Sequence, residues 1–393
     1  MASPSTRPSE SGARTEWLLL HISFTLIGVI TTLLGPILPF FARHWTLTDA
    51  QSGFFFTTQY FGSFLGVVLT SIIIPRFGSS RVCAGGFTAF MACFAFLGLG
   101  PWTLAAFLVG INGFGYGLTS PTINMRATQL PSRNTAAAVT LVNFSWSIGA
   151  VCCPFLIGSL IPRIGVRGFC LALAGLSLVL VLSHLSLRAA RVAAVSARST
   201  HSLSEWLEHL RQPQAIPLVL LFFLYVGVEV ALGGWVATHE KRMPGMGAAA
   251  LLLAPSVFYG FLLFGRGVAP LALRRISQLV ISVGGLLLAT LGSVLIALSV
   301  SPHQLYLGAA IAGFGLAPQY PIFVTWLAAI YRADSTWMAA LFFGAAGLGA
   351  AVLPWVVGIV AARTDSLRVG LYIPIVVCAL MVLLDTRARP RTQ

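Results

Sequence analysis

Charge is the first thing this chain lacks. Asp, Glu, Lys and Arg supply only 9 % of its 393 residues, far below the roughly 25 % of a soluble protein. So few charges cannot cover the surfaces of the two or three soluble domains that this length would otherwise allow. Acidic residues are scarcest, ten against 24 Lys and Arg, which leaves a net charge of +14. Cysteines are few as well. All six (Cys83, Cys93, Cys152, Cys153, Cys170, Cys378) fall within or at the ends of apolar runs. There they serve as small hydrophobic filler, and no Cys/His spacing suits a metal. Enzyme motifs are absent too: no Asp-rich magnesium motif, no HExxH, no GxSxG, no Gly-rich loop ending in Lys-Ser/Thr. The chain reads as no enzyme, and no cofactor or metal is expected.

What is present is apolar length. Hydrophobic residues make up 57 % of the chain, gathered in twelve stretches near the ~20 residues that span a bilayer. They run over about 17–41, 50–74, 82–99, 103–125, 135–161, 166–187, 216–239, 248–273, 276–298, 303–329, 337–361 and 369–385. The runs are continuous rather than alternating, so they are helices and not barrel strands. The expected fold is an all-α membrane protein of twelve transmembrane helices in two pseudo-symmetric six-helix bundles. The domains follow: tail 1–16, bundle 17–187, linker 188–215, bundle 216–385, tail 386–393. With both termini in the cytoplasm, seventeen of the 24 basic residues lie inside, the positive-inside bias. The basic excess thus orients the protein in the cell membrane and faces anionic lipid; it does not mark a nucleic-acid binder. The leader Met1–Glu16 precedes a run of full spanning length, which reads as an uncleaved anchor. The linker carries a short amphipathic stretch from Ser204 to Leu210, suited to lie on the inner leaflet.

The second half repeats the first. Gly113-Phe114-Gly115 and Pro121 recur as Gly313-Phe314-Gly315 and Pro321, and Gly149, Pro154 and Gly158 recur as Gly349, Pro354 and Gly358. Gly28 and Gly35 recur as Gly227 and Gly234, and Gly62 and Arg76 as Gly260 and Arg274, the offset staying between 198 and 200. Duplicated apolar halves build secondary transporters, whose solute site lies between the halves near mid-membrane.

The chain resembles the major facilitator superfamily from about Trp17 to Asp385, and within it the fucose and glucose permeases. The segment from Phe223 through Tyr225-Val226-Gly227-Val228-Glu229 to Trp235 is similar to that branch's helix 7. Phe264-Gly265-Arg266-Gly267 followed by Leu273-Arg274-Arg275-Ile276 is similar to its FxGR…RR pattern. The resemblance implies alternating access between two bundles. Two departures stand out. The first inner loop has Pro75 where the family's acid precedes Arg76, and helix 4 has no acid around Gly117–Pro121.

Glu229 is therefore the proton-coupling candidate, read as the acid lying deep within an apolar span. A carboxylate there costs roughly 2.5–3.5 kcal/mol on insertion scales, so it should face a cavity rather than lipid. A carboxyl group in such a site can take up and release a proton. Glycines and prolines interrupt helices 1, 4, 7 and 10 at matching depth. The solute-lining candidates at that depth are Gln59, Tyr60, Asn112, Tyr116, Asn143, Trp146, Tyr225, Gln319 and Tyr320. Amides donate and accept to hydroxyls, and a Trp face stacks on a pyranose. Arg76, Arg126 and Arg266 are assigned to the inner ends of helices and to gating. The expected partners are a small neutral hydroxylated solute of hexose type, a proton and lipid, with the protein a monomer. Two other readings stay open. One is a proton-driven exporter of amphiphilic compounds, supported by the partial GxxxGPxxGG element from Gly149 to Gly158. The other is a receptor or scaffold that transports nothing.

Overall fold

The computed structural model describes residues 10–129, 135–186, 208–244, 253–332 and 335–390. Most of the linker, the first nine residues and Arg133 lie outside the described residues. Among the described residues every regular element is helical. The first half holds α1 (Glu10–Thr32), α2 (Leu34–Trp45), α3 (Asp49–Phe77), α4 (Ser79–Phe96), α5 (Trp102–Gln129) and α6 (Thr135–Ser186). The second half holds α7 (Ala215–Lys241), α8 (Ala254–Ala272), α9 (Gln278–Leu298), α10 (Pro302–Leu316) and α11 (Gln319–Tyr331). It closes with α12 (Ser335–Thr364), α13 (Leu367–Gly370) and α14 (Tyr372–Ala388).

Twelve passes follow from how these helices break. Pro36 has no N–H to donate, so the first pass bends at Leu33 into α1 and α2. The tenth pass bends likewise between α10 and α11 at Ala317-Pro318, and the twelfth at Leu371 between α13 and α14. Helix α6 has 52 residues, about 78 Å at 1.5 Å per residue, over twice the hydrocarbon thickness. It is two passes, turning at Gly165, whose φ of +70° only glycine adopts freely. Eight helical stretches are long and apolar enough to cross a membrane by those criteria alone, one of them covering both passes of α6. The more polar α3, α5 and α8 complete the count.

The repeated glycines explain the symmetry. A Cβ on Gly28 would overlap the Trp146 carbonyl, and one on Gly149 the Thr25 carbonyl, so α1 and α6 touch backbone to backbone. In the second half Gly227 and Gly349 bring α7 onto α12 in the same way. Gly113 sits against the Gln59 carbonyl and Gly313 against that of Phe258, the equivalent contacts of α5 with α3 and α10 with α8. Close approach of this kind drives helix association where lipid is as apolar as the helix. Gly62 and Gly260 match in sequence but not in role. Gly62 meets the Gly110 carbonyl, whereas a Cβ on Gly260 meets nothing within 4 Å.

The halves meet at the face far from the start of α1. There Arg242 clasps Asp49 with both guanidinium nitrogens (2.9 and 2.5 Å). Thr57 donates to the Ala351 carbonyl at 2.7 Å, Ser256 donates to Val151 at 3.0 Å, and Gly35 packs on the Gly233 backbone. At the opposite face two ion pairs each lie within one half. Arg126 pairs with Glu16, and Arg389 with Asp385 at 2.7 Å.

Candidate functional site

Between the halves, α7 presents Tyr225 and Glu229 one turn apart. Residues i and i+4 share a helix face, so the Tyr225 hydroxyl donates directly to the Glu229 carboxylate. Arg266 of α8 reaches the same carboxylate oxygen at 3.1 Å and the Tyr225 hydroxyl at 3.3 Å. The Glu229 side chain is 14 % exposed and that of Arg266 31 %, so the pair is sheltered yet reachable. A carboxylate left alone here would carry the full cost of desolvation; a charged partner and a phenol offset it.

Four more phenols lie within electrostatic reach of Glu229 or its partners. Tyr60 of α3 and Tyr116 of α5 come from the first half, Tyr259 of α8 and Tyr320 of α11 from the second. The rings of Tyr225 and Tyr320 lie 6.0 Å apart. Tyr225 touches the ion pair, and tyrosines drawn from both bundles share its electrostatic surroundings. Tyr259 escaped the sequence reading, although the 199-residue offset from Tyr60 marks it.

Beside Arg266 a cavity of about 640 Å³ runs between α6 and α8, lined by Asn143, Phe144, Trp146 and Ser147 opposite Gly260, Leu263, Phe264 and Gly267. Asn143 donates to Asn124 Oδ1 at 2.7 Å, and the Trp146 indole to Thr31 at 3.1 Å. Each therefore ties α6 to a neighbouring helix as well as facing the cavity.

Three amides lie elsewhere. Gln59 is 2 % exposed and donates to the Thr31 carbonyl at 3.1 Å; Asn112 is 5 % exposed. Both border a void of only about 10 Å³ within the first bundle, and the carbonyl oxygen of each is buried without a hydrogen-bond partner. Gln319, fully buried, donates to the Ser282 and Gly315 carbonyls at 3.0 and 3.2 Å. In this conformation these three face their own bundles and not the chamber. Arg126 links the end of α5 to Glu16 and, at 3.1 Å, to Gln129, all in one half. Arg76 is exposed on the last turn of α3. Arg266 lies not at a helix end but against Glu229.

Glu229 is not the sole acid buried in an apolar span. Glu240 and Asp385 have no exposure at all. Glu240 accepts from the backbone N–H groups of Leu253 and Ala254 (3.2 and 3.0 Å) and from Tyr306 at 2.6 Å, capping α8. Asp385 binds Arg389 and lies 2.5 Å from the Ser282 hydroxyl. Both stand near helix ends, where donors are available, so their burial left no mark in a count of apolar residues. Among the described residues no group of three His, Cys, Asp or Glu could hold a metal ion.

Comparison with known proteins agrees with this architecture. The human sodium-dependent glucose transporter 1 is 30 % identical over 158 residues, 39 % of this chain and 30 % of that one. The chain thus spans under a third of that relative's length. Among solved structures, a bacterial homolog of the human lysosomal transporter Spinster, inward-facing and occupied, superposes with a TM-score of 0.80. Its identity is 14 %, and the match covers 98 % of this chain and 100 % of that one. The E. coli fucose:proton symporter superposes at 0.65 with 18 % identity, covering 97 and 100 %. At these identities the structures speak for the fold alone. The sequence profile of the Major Facilitator Superfamily matches residues 20–336, and with its twelve passes in two related bundles this chain belongs to that family of multi-pass membrane transporters.

Proposed function

We propose that the chain carries a small neutral hydroxylated solute, hexose-like in its head, across the cell membrane by alternating access, coupled to protons through Glu229. The observation that supports this best is the Glu229–Arg266 pair, held by Tyr225 and within electrostatic reach of tyrosines from both bundles. Guanidinium donors, a carboxylate and several hydroxyls match the donor and acceptor pattern of a sugar and no fixed ionic charge. The glucose named for the human relative points the same way. With both termini cytoplasmic, the face sealed by Asp49–Arg242 is outer and the chamber is read as inward-facing.

Coupling follows from the pair itself. While ionised, Glu229 holds the Arg266 guanidinium. A proton on Glu229 removes that attraction and frees the donors for solute oxygens. Only a differential interaction of this kind can shift the balance between the two conformations. The two bundles, 17–187 and 216–385, act as the rocking bodies, the linker 188–215 as their tether, and Arg76 and Arg126 as inner-face anchors. The chain works as a monomer.

The apolar walls at Phe144, Leu263 and Phe264 favour a second reading, a proton-driven exporter of amphiphiles. Proteoliposomes loaded with labelled hexoses or cationic dyes, with and without a pH gradient, separate the two. Glu229→Gln is expected to abolish gradient-driven accumulation of hexose while leaving exchange of the same sugar partly intact. Unchanged accumulation would remove Glu229 from the coupling step.

A further inference from the structure

The cavity beside Arg266 is larger and less polar than a bare hexose needs. Its 640 Å³ falls in the range of drug-sized ligands. Phe144 and Phe264 on its opposite walls are 49 and 60 % exposed. Arg266 lines it too, so the apolar space is continuous with the polar cluster at Glu229.

The glycines of α8 explain how the space is kept. Gly28, Gly113, Gly149 and Gly349 are held small by backbone pressed against them, and a Cβ on any of them would overlap a carbonyl. Gly260 and Gly267 carry no such constraint. A Cβ on either meets nothing within 4 Å, neither has a positive φ, and both line the cavity. Seven residues apart, they share one face of α8, and each costs helix propensity relative to alanine. Gly85, Gly175, Gly284 and Gly347 are equally free of packing; what sets Gly260 and Gly267 apart is that both line the cavity, where a larger side chain would fill it.

We infer that the solute carries an apolar appendage on its hydroxylated head, as in an alkyl or aryl glycoside, and that the groove over Gly260 and Gly267 receives it. The head lies at Glu229, Arg266 and the tyrosines, and the appendage runs between α6 and α8. This rests on reading the chamber as the solute site.

The test uses the full chain in lipid nanodiscs and calorimetric titration with methyl, ethyl, propyl and butyl β-glucosides. Each added methylene is expected to tighten Kd about threefold to fourfold, the gain from burying one CH₂. In the Gly260→Leu/Gly267→Leu double variant the four ligands should bind with the same Kd as methyl glucoside. Gly260→Ala/Gly267→Ala, which adds only methyl groups and helix propensity, should melt at or above the wild-type temperature and keep part of the gain. A flat series in the wild type overturns the inference, as does a chain-length gain that survives in the leucine variant. If the longer glucosides bind with this gain but no hexose accumulates in proteoliposomes, the transport reading falls and the groove stands. If no member of the series binds, both fall.

Discussion

Breaking the clasp between Asp49 and Arg242 should open the closed face of this protein. The two side chains come from different bundles, Asp49 at the start of α3 and Arg242 just after α7. Under the proposed rocking of the bundles they meet only when that face is shut, so their interaction energy enters the conformational equilibrium in full. Geometry argues for a strong contact, because both guanidinium nitrogens engage both carboxylate oxygens at 2.9 and 2.5 Å. Solvent argues for a modest one. The Arg242 side chain is 46 % exposed against 12 % for Asp49, and exposed pairs are worth about 0–1 kcal/mol. Taking the upper end, near 1 kcal/mol, Asn at position 49 should shift the population about fivefold toward the open form. The shift stops there because Thr57–Ala351, Ser256–Val151 and the Gly35–Gly233 contact remain. Spin labels at Thr46 and Thr364, both exposed at that face, would read the shift as a loss of short distances in electron–electron resonance. Arg242→Gln should give the same distribution, and the double variant should add nothing to either single one. A distance distribution unchanged in both single variants, or additive effects in the double, would refute the reasoning.

Two further predictions concern stability. Gly149→Val should lower the detergent melting temperature by an amount equivalent to about 1–3 kcal/mol, because its side chain would drive α6 off the Thr25 carbonyl. Gly347→Ala, whose Cβ meets nothing within 4 Å, is the control and should melt normally; equal melting of both would sink the packing argument. Glu240→Gln should cost about 1–2 kcal/mol, since it weakens charge-assisted bonds to the Leu253 and Ala254 N–H groups at the start of α8. Tyr306→Phe, which removes one of the same set, should cost less, and the reverse order in thermal melts would count against the cap.

Much of the architecture was legible because the bilayer constrains a sequence so severely. Length and apolarity alone required helices, and the matched glycines marked the contacts between them: Gly28 with Gly149 and Gly227 with Gly349 mark the same helix pair in each half. Prolines 36 and 318 marked the broken first and tenth passes, since a missing N–H weakens any helix in the same way; the breaks expected at Pro121 and at Gly233-Gly234 are not there, because α5 and α7 run through them unbroken. Glu229 stood out because a charge in that setting is costly.

Which way each polar side chain faces was decided by tertiary structure. Gln59, Asn112 and Gln319 sit at the same depth as Tyr60, Tyr116 and Tyr320, yet the amides turn into their own bundles while the phenols lie within electrostatic reach of Glu229. In a soluble helix the apolar stripe would reveal the buried face. Here the lipid-facing and protein-facing sides are equally apolar, so no periodicity separates them. The partners of charged groups were hidden for a related reason. Arg266 is 37 residues from Glu229, and Arg242 is 193 from Asp49; only the packing of separate helices brings either pair together. Sequence therefore determined that this chain is two copies of a membrane-embedded helical bundle, and tertiary packing alone decided which side chains share the space between them.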